Sequence, residues 1–239
     1  MILEFDLGNS RSKWRMLEES RVVDRGVTDD VSSLALDHWP VSRIRVASVV
    51  SEALEQKLVT WAQRTLKITP EFARTSASCA GVKNVYAEPH RLGVDRWLAM
   101  LAAYSQCDAG VLVVDAGTAM TIDYVDRGGQ HLGGYILPGL RLSEQALLRD
   151  TSRVLFSEPV VPSTTPGCST GEAVRHGGYF AAIALLEKAV SQGRTLLGED
   201  ARALITGGDA ELLQSLFAGG SHFDWQPDLV FDGLSIALP

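Results

Sequence analysis

The stretch ILEFDLGNSRSKW, residues 2–14, governs the interpretation of this sequence. Apolar residues lead into an acid, Asp6, and a glycine, Gly8, follows after one intervening residue. A similar arrangement returns in the second half of the chain as VLVVDAGTAMTIDY, residues 111–124. A carboxylate at the end of a buried strand, present twice, indicates an internal duplication.

In this duplication Asp6 corresponds to Asp115, and Gly8 corresponds to Gly117. Each half is predicted to begin with a strand, an acid, one further residue, a glycine and a strand that returns antiparallel. Each half later places helices after strands. The pattern predicts an α/β fold of two halves, each with a mixed sheet flanked by helices, and a cleft between the halves.

The short polar turn Cys107–Gly110 is the best candidate for the boundary between the halves. We therefore predict a first domain over residues 1–108 and a second over residues 109–239. Ser51 is the predicted N-cap of the first long helix. Helices are predicted over residues 53–66, 95–105 and 171–192, with a closing helix over 229–238.

The composition is that of an ordinary globular chain, with 239 residues of which 46% are hydrophobic and 21% are charged. The net charge of −7 and the lack of a Lys/Arg-rich run argue against a broad nucleic-acid surface. Three cysteines without a CxxC pair indicate free thiols. There is no signal-peptide pattern and no apolar run of membrane-spanning length. We expect a cytoplasmic protein with neither a nucleic-acid nor a membrane partner.

An acid at the end of a strand has a clear chemical use. It cannot bind a phosphate directly, since like charges repel, but it can hold the cation that neutralises a phosphate. The glycine tolerates a positive φ and leaves room for a ligand, and the next backbone amides can donate to phosphate oxygens. The open alternative is a tight turn without further function. No GxxxxGK[ST] or GxGxxG segment supports a P-loop or Rossmann site.

A third element is LITGGDAELL, residues 204–213. A strand leads into Thr-Gly-Gly and then into a helix. Two adjacent glycines let a flat ring lie against the backbone. The alternative is an ordinary connection from strand to helix with Asp209 as the N-cap, and the two interpretations are compatible.

Together these segments resemble a known family. The two Asp-x-Gly hairpins and Thr-Gly-Gly resemble the phosphate-1, phosphate-2 and adenosine motifs of the superfamily of sugar kinases, Hsp70 and actin. Within it, DLGNSRSKW, YAEPHRLGVDRW, VVDAGTAMTIDYV, GGYILPGL and ITGGDA resemble type III pantothenate kinases over essentially the whole chain. LGVDR and GGYILPG are specific to that family. The resemblance implies duplicated ribonuclease-H-like (actin-like ATPase) halves and ATP-dependent phosphorylation of pantothenate.

The resemblance implies that Asp95, in LGVDRW, is the general base that takes the proton from the primary hydroxyl of pantothenate. Phosphoryl transfer depends mainly on positioning and charge neutralisation, so a base of modest strength suffices. The alternative from the residues alone is that Asp95 is the N-cap of the following helix and Arg96 its solvated partner.

The pantothenate site implied by the family contains six residues. They are Tyr86, Gly93, Val94, Asp95, Arg96 and Thr170. Arg96 can supply a charge-assisted bond to the substrate carboxylate. The alternative for Tyr86 is a core residue with a satisfied hydroxyl, and the alternative for Thr170 is a plain N-cap. The resemblance implies a homodimer in which a helix and a loop of one subunit complete the pocket of the other, so Thr170 is expected to act either within a subunit or across the dimer.

The ATP site implied by the family lies along the first hairpin and at one residue of the second. It comprises Asp6, Leu7, Gly8, Asn9, Ser10, Arg11, Ser12, Lys13 and Thr118. ATP is expected with Mg2+, and Asp115 is expected to bind K+ or NH4+. Asn9-Ser10 replaces the common Asn-Thr and keeps the hydroxyl. The charges of Arg11 and Lys13 are more often simply solvated in such hairpins.

Two other functions stay open on the sequence. One is a different small-molecule kinase or phosphatase of the same superfamily, such as a polyphosphate hydrolase. The other is a catalytically silent regulator, since some relatives were first noticed as accessory factors for transcription. Loss of a phosphate-motif acid or of the base would favour the regulator, but Asp6, Asp95 and Asp115 are all present.

Overall fold

The computed structural model describes residues 1–36, 38–217 and 223–239. The strands are β1 (Ile2–Leu7), β2 (Ser12–Glu18), β3 (Arg21–Thr28), β4 (Arg43–Ser48), β5 (Glu71–Phe72), β6 (Ser78–Cys79), β7 (Val82–Lys83), β8 (Val111–Ala116), β9 (Ala119–Val125), β10 (His131–Pro138), β11 (Arg202–Thr206) and β12 (Asp224–Trp225). The α-helices are α1 (Glu52–Thr65), α2 (Val94–Ser105), α3 (Leu140–Asp150), α4 (Thr170–Leu197), α5 (Ala210–Leu216) and α6 (Leu229–Ala237). Single 3-10 turns cover Val31–Ser33 and Pro89–Arg91.

The two five-stranded sheets have the same topology. The first has the strand order β3-β2-β1-β4-β5, and the second has the order β10-β9-β8-β11-β12. In each sheet the first three strands form an antiparallel meander. The fourth strand pairs in parallel with the first, and the fifth pairs in parallel with the fourth. This match confirms the predicted duplicated α/β fold, with β1 equivalent to β8.

Strand β1 has one apolar face that packs on α1. Leu3, Phe5 and Leu7 alternate along it and are buried. The Phe5 ring meets the edge of Trp61 of α1 at 6.1 Å between ring centres. Ser51 occupies the predicted N-cap position of α1, but its side chain makes no capping hydrogen bond. The apolar spacing of this helix includes Leu54, but that side chain is 47% exposed.

The second sheet repeats this arrangement. Val114 and Ala116 of β8 and Ile122 of β9 lie in one buried cluster. Leu186 of α4 and Leu213 of α5 pack in the same cluster. Since side chains alternate along a strand, Asp115 points to the opposite face of its sheet, as Asp6 does in the first.

The second face of the first sheet carries a buried ionic cluster. Glu4 is completely buried, and its carboxylate contacts Arg15 Nε at 2.5 Å and Arg45 Nη2 at 2.7 Å. Arg15 Nη1 also reaches Asp232 of α6 at 3.0 Å. Burial lowers the pKa of Arg45, which keeps its charge because Glu4 lies beside it. The cluster attaches α6 to β1, β2 and β4.

The chain forms two compact units, one of Met1–Ser105 with Asp228–Pro239 and one of Gln106–Pro227. The predicted division at 108/109 lies close to the first crossing between them. It differs at the end of the chain, because α6 was expected with the second half and packs in the first unit. The reason is that α6 forms ion pairs with the first sheet and packs against the backbone of α2. Patterns of strand and helix residues in the sequence do not reveal such contacts.

The three cysteines, Cys79, Cys107 and Cys168, are free thiols, as expected. Burial raises the pKa of the Cys107 thiol, so it stays protonated near neutral pH. Among the helices in the described part of the chain, none combines the length and the apolar character needed to cross a bilayer.

Replacing Glu4 tests the ionic cluster. Glu4→Gln removes the negative charge that two buried arginines share, so we expect a loss of about 3 kcal/mol in the free energy of unfolding. Glu71→Gln is the matched control, because Glu71 pairs with Arg43 at the surface and its loss should change stability by less than about 1 kcal/mol. Urea unfolding measures both. Equal losses in the two variants would contradict the role assigned to the cluster.

Candidate functional site

The first hairpin holds Asp6 at the end of β1. Asp6 is opposite Lys13 in the antiparallel pair of β1 and β2. Leu7 is buried, whereas Asn9 and Ser10 are exposed at the turn. A cavity of about 440 Å³ opens at this turn. The predicted ATP-binding residues that line it are Leu7, Gly8, Asn9, Ser10, Arg11 and Ser12.

Lys57 of α1 also lines the cavity at the first hairpin, together with Leu54. The sequence analysis did not select Lys57, because a lysine on an amphipathic helix is most simply a solvated residue. Only the packing of α1 beside the turn shows that this cation lies next to the predicted phosphate site.

Two carboxylates influence each other in the first unit. The pKa of Asp6 is raised to about 6, first by burial and then by the negative charge of Asp95, while Lys13 acts in the opposite direction. Asp95 is therefore close enough to Asp6 for its charge to act on that group. Carboxylate oxygens are ligands that Mg2+ prefers, so these residues fit a magnesium ion carried by a nucleotide.

The hairpin glycines act differently from the expectation. Neither Gly8 nor Gly117 has a positive φ. Each instead leaves space beside the turn: a Cβ at Gly8 would lie 3.1 Å from the Arg11 carbonyl oxygen, and one at Gly117 would lie 3.2 Å from Asp115 Oδ1. The positive φ, +96°, belongs to Gly207 of Thr-Gly-Gly.

Asp115 lies between two threonines at the end of β8. It is opposite Thr121 of β9 and beside Thr206 of β11 in the sheet register. These three residues alternate to the same face of the sheet, which places a carboxylate and two hydroxyls in one row. Such oxygen donors fit a hard cation, so the residues present are compatible with K+ at Asp115. Thr118, predicted to contact ATP, is exposed at the turn that follows.

The Thr-Gly-Gly turn lies against the second hairpin. A Cβ at Gly207 would come within 2.5 Å of the Ala116 carbonyl oxygen and of Asp115 Oδ1. The Asp209 amide donates to the same Ala116 oxygen at 2.9 Å. Gly208 has no atom within 4 Å of its Cβ position. Gly207 therefore allows the Thr-Gly-Gly turn to contact the second hairpin, because a side chain there would clash. Gly208 leaves open space in front of the backbone.

The GGYILPG segment also acts on the second hairpin. Gly139 donates its amide to the Thr118 carbonyl oxygen at 2.9 Å. A Cβ there would lie only 2.2 Å from the Gly117 carbonyl oxygen. The family-specific Pro-Gly pair thus supports the turn that carries Thr118, a role that the sequence alone did not assign.

The LGVDR segment forms the start of α2. The helix begins at Val94, so Asp95 lies inside the first turn and is not its N-cap. Asp95 Oδ1 accepts a hydrogen bond from the Arg96 amide at 2.8 Å. A Cβ at Gly93 would lie 2.6 Å from that same oxygen, so the glycine makes room for the carboxylate.

Arg96 is buried and is not the solvated partner of the alternative interpretation. Its Nη1 donates to the Tyr86 hydroxyl at 3.2 Å, and its guanidinium lies 6.0 Å from the centre of the Tyr86 ring. The structure therefore brings Tyr86, Gly93, Asp95 and Arg96 together in the first unit.

Two residues outside the predicted set shape this loop. Asn84 accepts from the Tyr86 amide at 2.9 Å and donates to the Pro89 carbonyl oxygen at 3.2 Å. The Thr75 hydroxyl donates to the Leu92 carbonyl oxygen at 2.9 Å. The Asn-x-Tyr spacing is a weak sequence signal for the first, since asparagine often bonds the amide two residues later. Thr75 has no comparable signal.

Thr170 is the first residue of α4, and Ser169 is the N-cap. The Ser169 hydroxyl accepts from the Glu172 amide at 3.2 Å, and Glu172 accepts from the Cys168 amide at 2.7 Å. Because Ser169 is the N-cap, the exposed Thr170 hydroxyl lies outside the cap, and the N-cap alternative for Thr170 is wrong. Thr170 lines a cavity of about 1150 Å³ in the second unit.

Asp209 lines the same cavity as Thr170. It has the N-cap position of α5, but its side chain makes no capping hydrogen bond. Burial raises its pKa, and the charge of Arg141 opposes that effect. Asp209 therefore has the predicted N-cap position but does not cap the helix with its side chain. Its carboxylate is instead a polar group in the lining of the cavity.

A sequence model described as type III pantothenate kinase matches residues 2–192. The chain belongs to this family. It is 37% identical over 249 residues to the type III pantothenate kinase of Pseudomonas aeruginosa, covering 100% of this chain and 99% of that protein. The enzyme of the same description from Marinobacter nauticus is 38% identical over 244 residues, with 98% and 96% covered. The predicted family resemblance is confirmed.

Solved structures support the fold of this family member. A Campylobacter jejuni protein described as a Baf family transcriptional activator has a TM-score of 0.62 at 24% identity, with 99% of this chain and 96% of that chain covered. The ethanolamine utilization protein EutJ of Carboxydothermus hydrogenoformans has a TM-score of 0.52 at 14% identity, with 99% and 88% covered. At these identities the likeness shows the fold alone.

Asp6→Asn should stabilise the protein in the absence of metal and nucleotide. A folded-state pKa raised from 3.8 to about 6 means that ionising Asp6 opposes folding as the pH rises through this range. The gain is at most about 3 kcal/mol above pH 6 and disappears near pH 4. Thermal unfolding of the variant and the wild type at pH 4.5 and pH 8 measures it. A gain that is equal at both pH values would contradict this origin.

Gly207 and Gly208 should respond differently to alanine. Gly207→Ala meets both a positive φ and a backbone clash, so we expect a loss of about 2 kcal/mol or more in stability. Gly208→Ala should leave stability within about 1 kcal/mol. If adenosine lies against Gly208, Gly208→Ala should nevertheless raise KM for ATP roughly tenfold, which corresponds to a loss of about 1.4 kcal/mol in binding free energy. An unchanged KM in Gly208→Ala would remove the nucleoside from this turn.

Proposed function

We propose that this chain transfers the γ-phosphoryl group of ATP to pantothenate and forms 4'-phosphopantothenate, the first step of coenzyme A biosynthesis. The observation that carries the proposal is the LGVDR segment, which this family member presents at the start of a buried helix with Asp95 near Asp6. A protein with these acids has both a proton acceptor and a place for the cation of the nucleotide.

Asp95 acts as the general base in this proposal. Its carboxylate takes the proton of the primary hydroxyl as that oxygen attacks the γ-phosphorus. A new oxygen–phosphorus bond forms, the bond to the bridging oxygen breaks, and ADP leaves with the electron pair. The Arg96 amide donates to Asp95 Oδ1 and so helps to hold the carboxylate in one orientation.

In this proposal Arg96 and Tyr86 form the part of the site that binds the carboxylate of pantothenate. Arg96 is always charged, and its burial strengthens a bond to the substrate carboxylate. The Tyr86 hydroxyl already bonds to the guanidinium and fixes its direction. Gly93 and Val94 complete this wall at the helix start, and Thr170 contacts substrate within a subunit or from a partner.

The nucleotide lies along Asp6–Lys13 and at Thr118 in this proposal. The turn amides and Lys13 donate to phosphate oxygens, and Asp6 holds the bound magnesium or its water. When bound, Mg2+ neutralises charge on the phosphates. Asp115, with Thr121 and Thr206 in register beside it, is the proposed site for K+ or NH4+.

Two further statements belong to the proposal. The chain acts as a homodimer, which is supported by exposed apolar side chains on α3 and α4, among them Leu142, Leu147 and the 62% exposed Phe180. It acts in the cytoplasm, where its co-substrate ATP is available.

A coupled ADP-release assay on purified protein tests the function. We expect pantothenate-dependent turnover with millimolar ATP and Mg2+, and a lower rate when Na+ replaces K+. No pantothenate-dependent turnover would refute the kinase proposal. Turnover that is equal in Na+ and K+ would remove only the monovalent cation.

Asp95→Asn should lower kcat by roughly a hundredfold or more, the usual contribution of a general base. Asp24→Asn is the matched control, since Asp24 also accepts from the next residue's amide, at 2.8 Å, but lies on the exposed strand β3. Steady-state kinetics at saturating substrates measures both variants. Near-wild-type kcat in Asp95→Asn would show that another group accepts the proton.

A further inference from the structure

The helix that carries Asp95 is in backbone contact with the last helix of the chain. A Cβ placed on Gly233 of α6 would lie 1.9 Å from the Leu98 carbonyl oxygen and 2.4 Å from its carbonyl carbon. Leu98 is completely buried and lies about one helical turn after Asp95 in α2. Real Cβ contacts stay above about 3 Å, so any side chain at position 233 must move α6 and α2 apart by about 1 Å.

The position of α6 is in turn set by the sheet that carries Asp6. Asp232 contacts Arg15 at 3.0 Å, and the Ser235 hydroxyl donates to Glu4 Oε1 at 3.2 Å. Arg45 donates to the Leu238 carbonyl oxygen at 2.7 Å. These contacts hold the helix at both of its ends.

The anchoring residues share a face with the site. Glu4 and Asp6 are two residues apart on β1, and Arg15 and Lys13 are two residues apart on β2, so all four side chains alternate to one face. A continuous set of contacts therefore runs from the strand of Asp6, through α6, to the helix of Asp95.

We propose that α6 is a positioning element for the general base, in which Gly233 sets the separation of α6 from α2 and Asp232 with Ser235 holds α6 on the sheet. Together they set the distance between Asp95 and Asp6. This inference rests on the proposed function. Gly233, Asp232 and Ser235 are positioning residues, since they act on the reaction only through α2.

The expected effect is large because the contact is tight. Packed helices do not absorb an extra methyl group without moving. A displacement of about 1 Å at a reacting group can lower the rate by about a hundredfold. Gly233→Ala should therefore lower kcat by roughly 10- to 100-fold, with KM for ATP and pantothenate within about threefold of wild type.

Gly193→Ala is the matched control. Gly193 is also a buried glycine inside a helix, α4, but a Cβ there would meet its nearest atom at an ordinary 3.7 Å. Its kcat should stay within about twofold of wild type. Dividing each kcat by the folded fraction from circular dichroism separates a displaced base from a partly unfolded sample.

A double-mutant cycle with Asp95→Glu distinguishes positioning from a merely structural role. The longer acid should lower kcat in the wild type and lower it much less, or raise it, in Gly233→Ala, because it compensates for the displaced helix. With Gly193→Ala the two effects should multiply. If the effects of Asp95→Glu and Gly233→Ala also multiply, the positioning role is refuted.

A readout without turnover keeps this inference separate from the proposed function. Trp97 lies on α2 between Asp95 and Leu98 and is buried. In protein labelled with 5-fluorotryptophan, the fluorine NMR signal of Trp97 can be assigned with Trp97→Phe. Its chemical shift should change in Gly233→Ala and stay the same in Gly193→Ala. An unchanged signal would overturn the inference, whether or not the wild type phosphorylates pantothenate.

A milder variant decides the case if Gly233→Ala does not fold. Asp232→Asn with Ser235→Ala weakens the anchor on Arg15 and Glu4 and leaves the helix contact intact. We expect roughly a two- to fivefold loss of kcat and a smaller shift of the Trp97 signal, with both KM values retained. Wild-type kcat together with an unshifted signal in this variant would overturn the proposal.

Discussion

The completely buried carboxylate of Glu4 constrains the first unit more than any other single group. An ionised acid removed from water needs close, well-directed partners, and two arginines of neighbouring strands supply them. Those arginines are themselves buried and need further acceptors, which are Asp232 of α6 and the carbonyl oxygen of Leu238 just after it. The return of the chain to its first sheet follows from this need. Strand pairing and apolar packing on α1 then complete the unit.

The face of the first sheet that carries Glu4 also carries Asp6, which belongs to the proposed ATP site. Asp6 ends the strand of Glu4, and its raised pKa reflects burial and the nearby Asp95. A cation bound beside such a carboxylate would favour its ionised form, which agrees with the proposed binding of a metal-bound nucleotide. The second unit reaches a similar result with Asp115, where glycines rather than charges control the approach of neighbouring turns.

Much of this could be predicted from local patterns. The Asp-x-Gly hairpins, the main helices and the family were correct because alternating apolar residues, turn glycines and short motifs are local signals. The errors have local causes as well. Ser51 and Asp209 have cap positions without cap bonds, and Leu54 is exposed although it belongs to the apolar spacing of α1. The two-residue strands β5, β6, β7 and β12 were not predicted, because two residues carry no periodicity.

By itself the sequence determined which residues end the strands, where the helices run, and which family the chain belongs to, because these depend on neighbours a few positions apart. Only the tertiary structure decided that α6 joins the first unit, that Gly233 lies on Leu98, that Arg96 is buried against Tyr86, and that Gly139 and Gly207 support the second hairpin. Those contacts join residues far apart in the chain. Their partners are chosen by shape and by buried charge, which no periodicity in the sequence records.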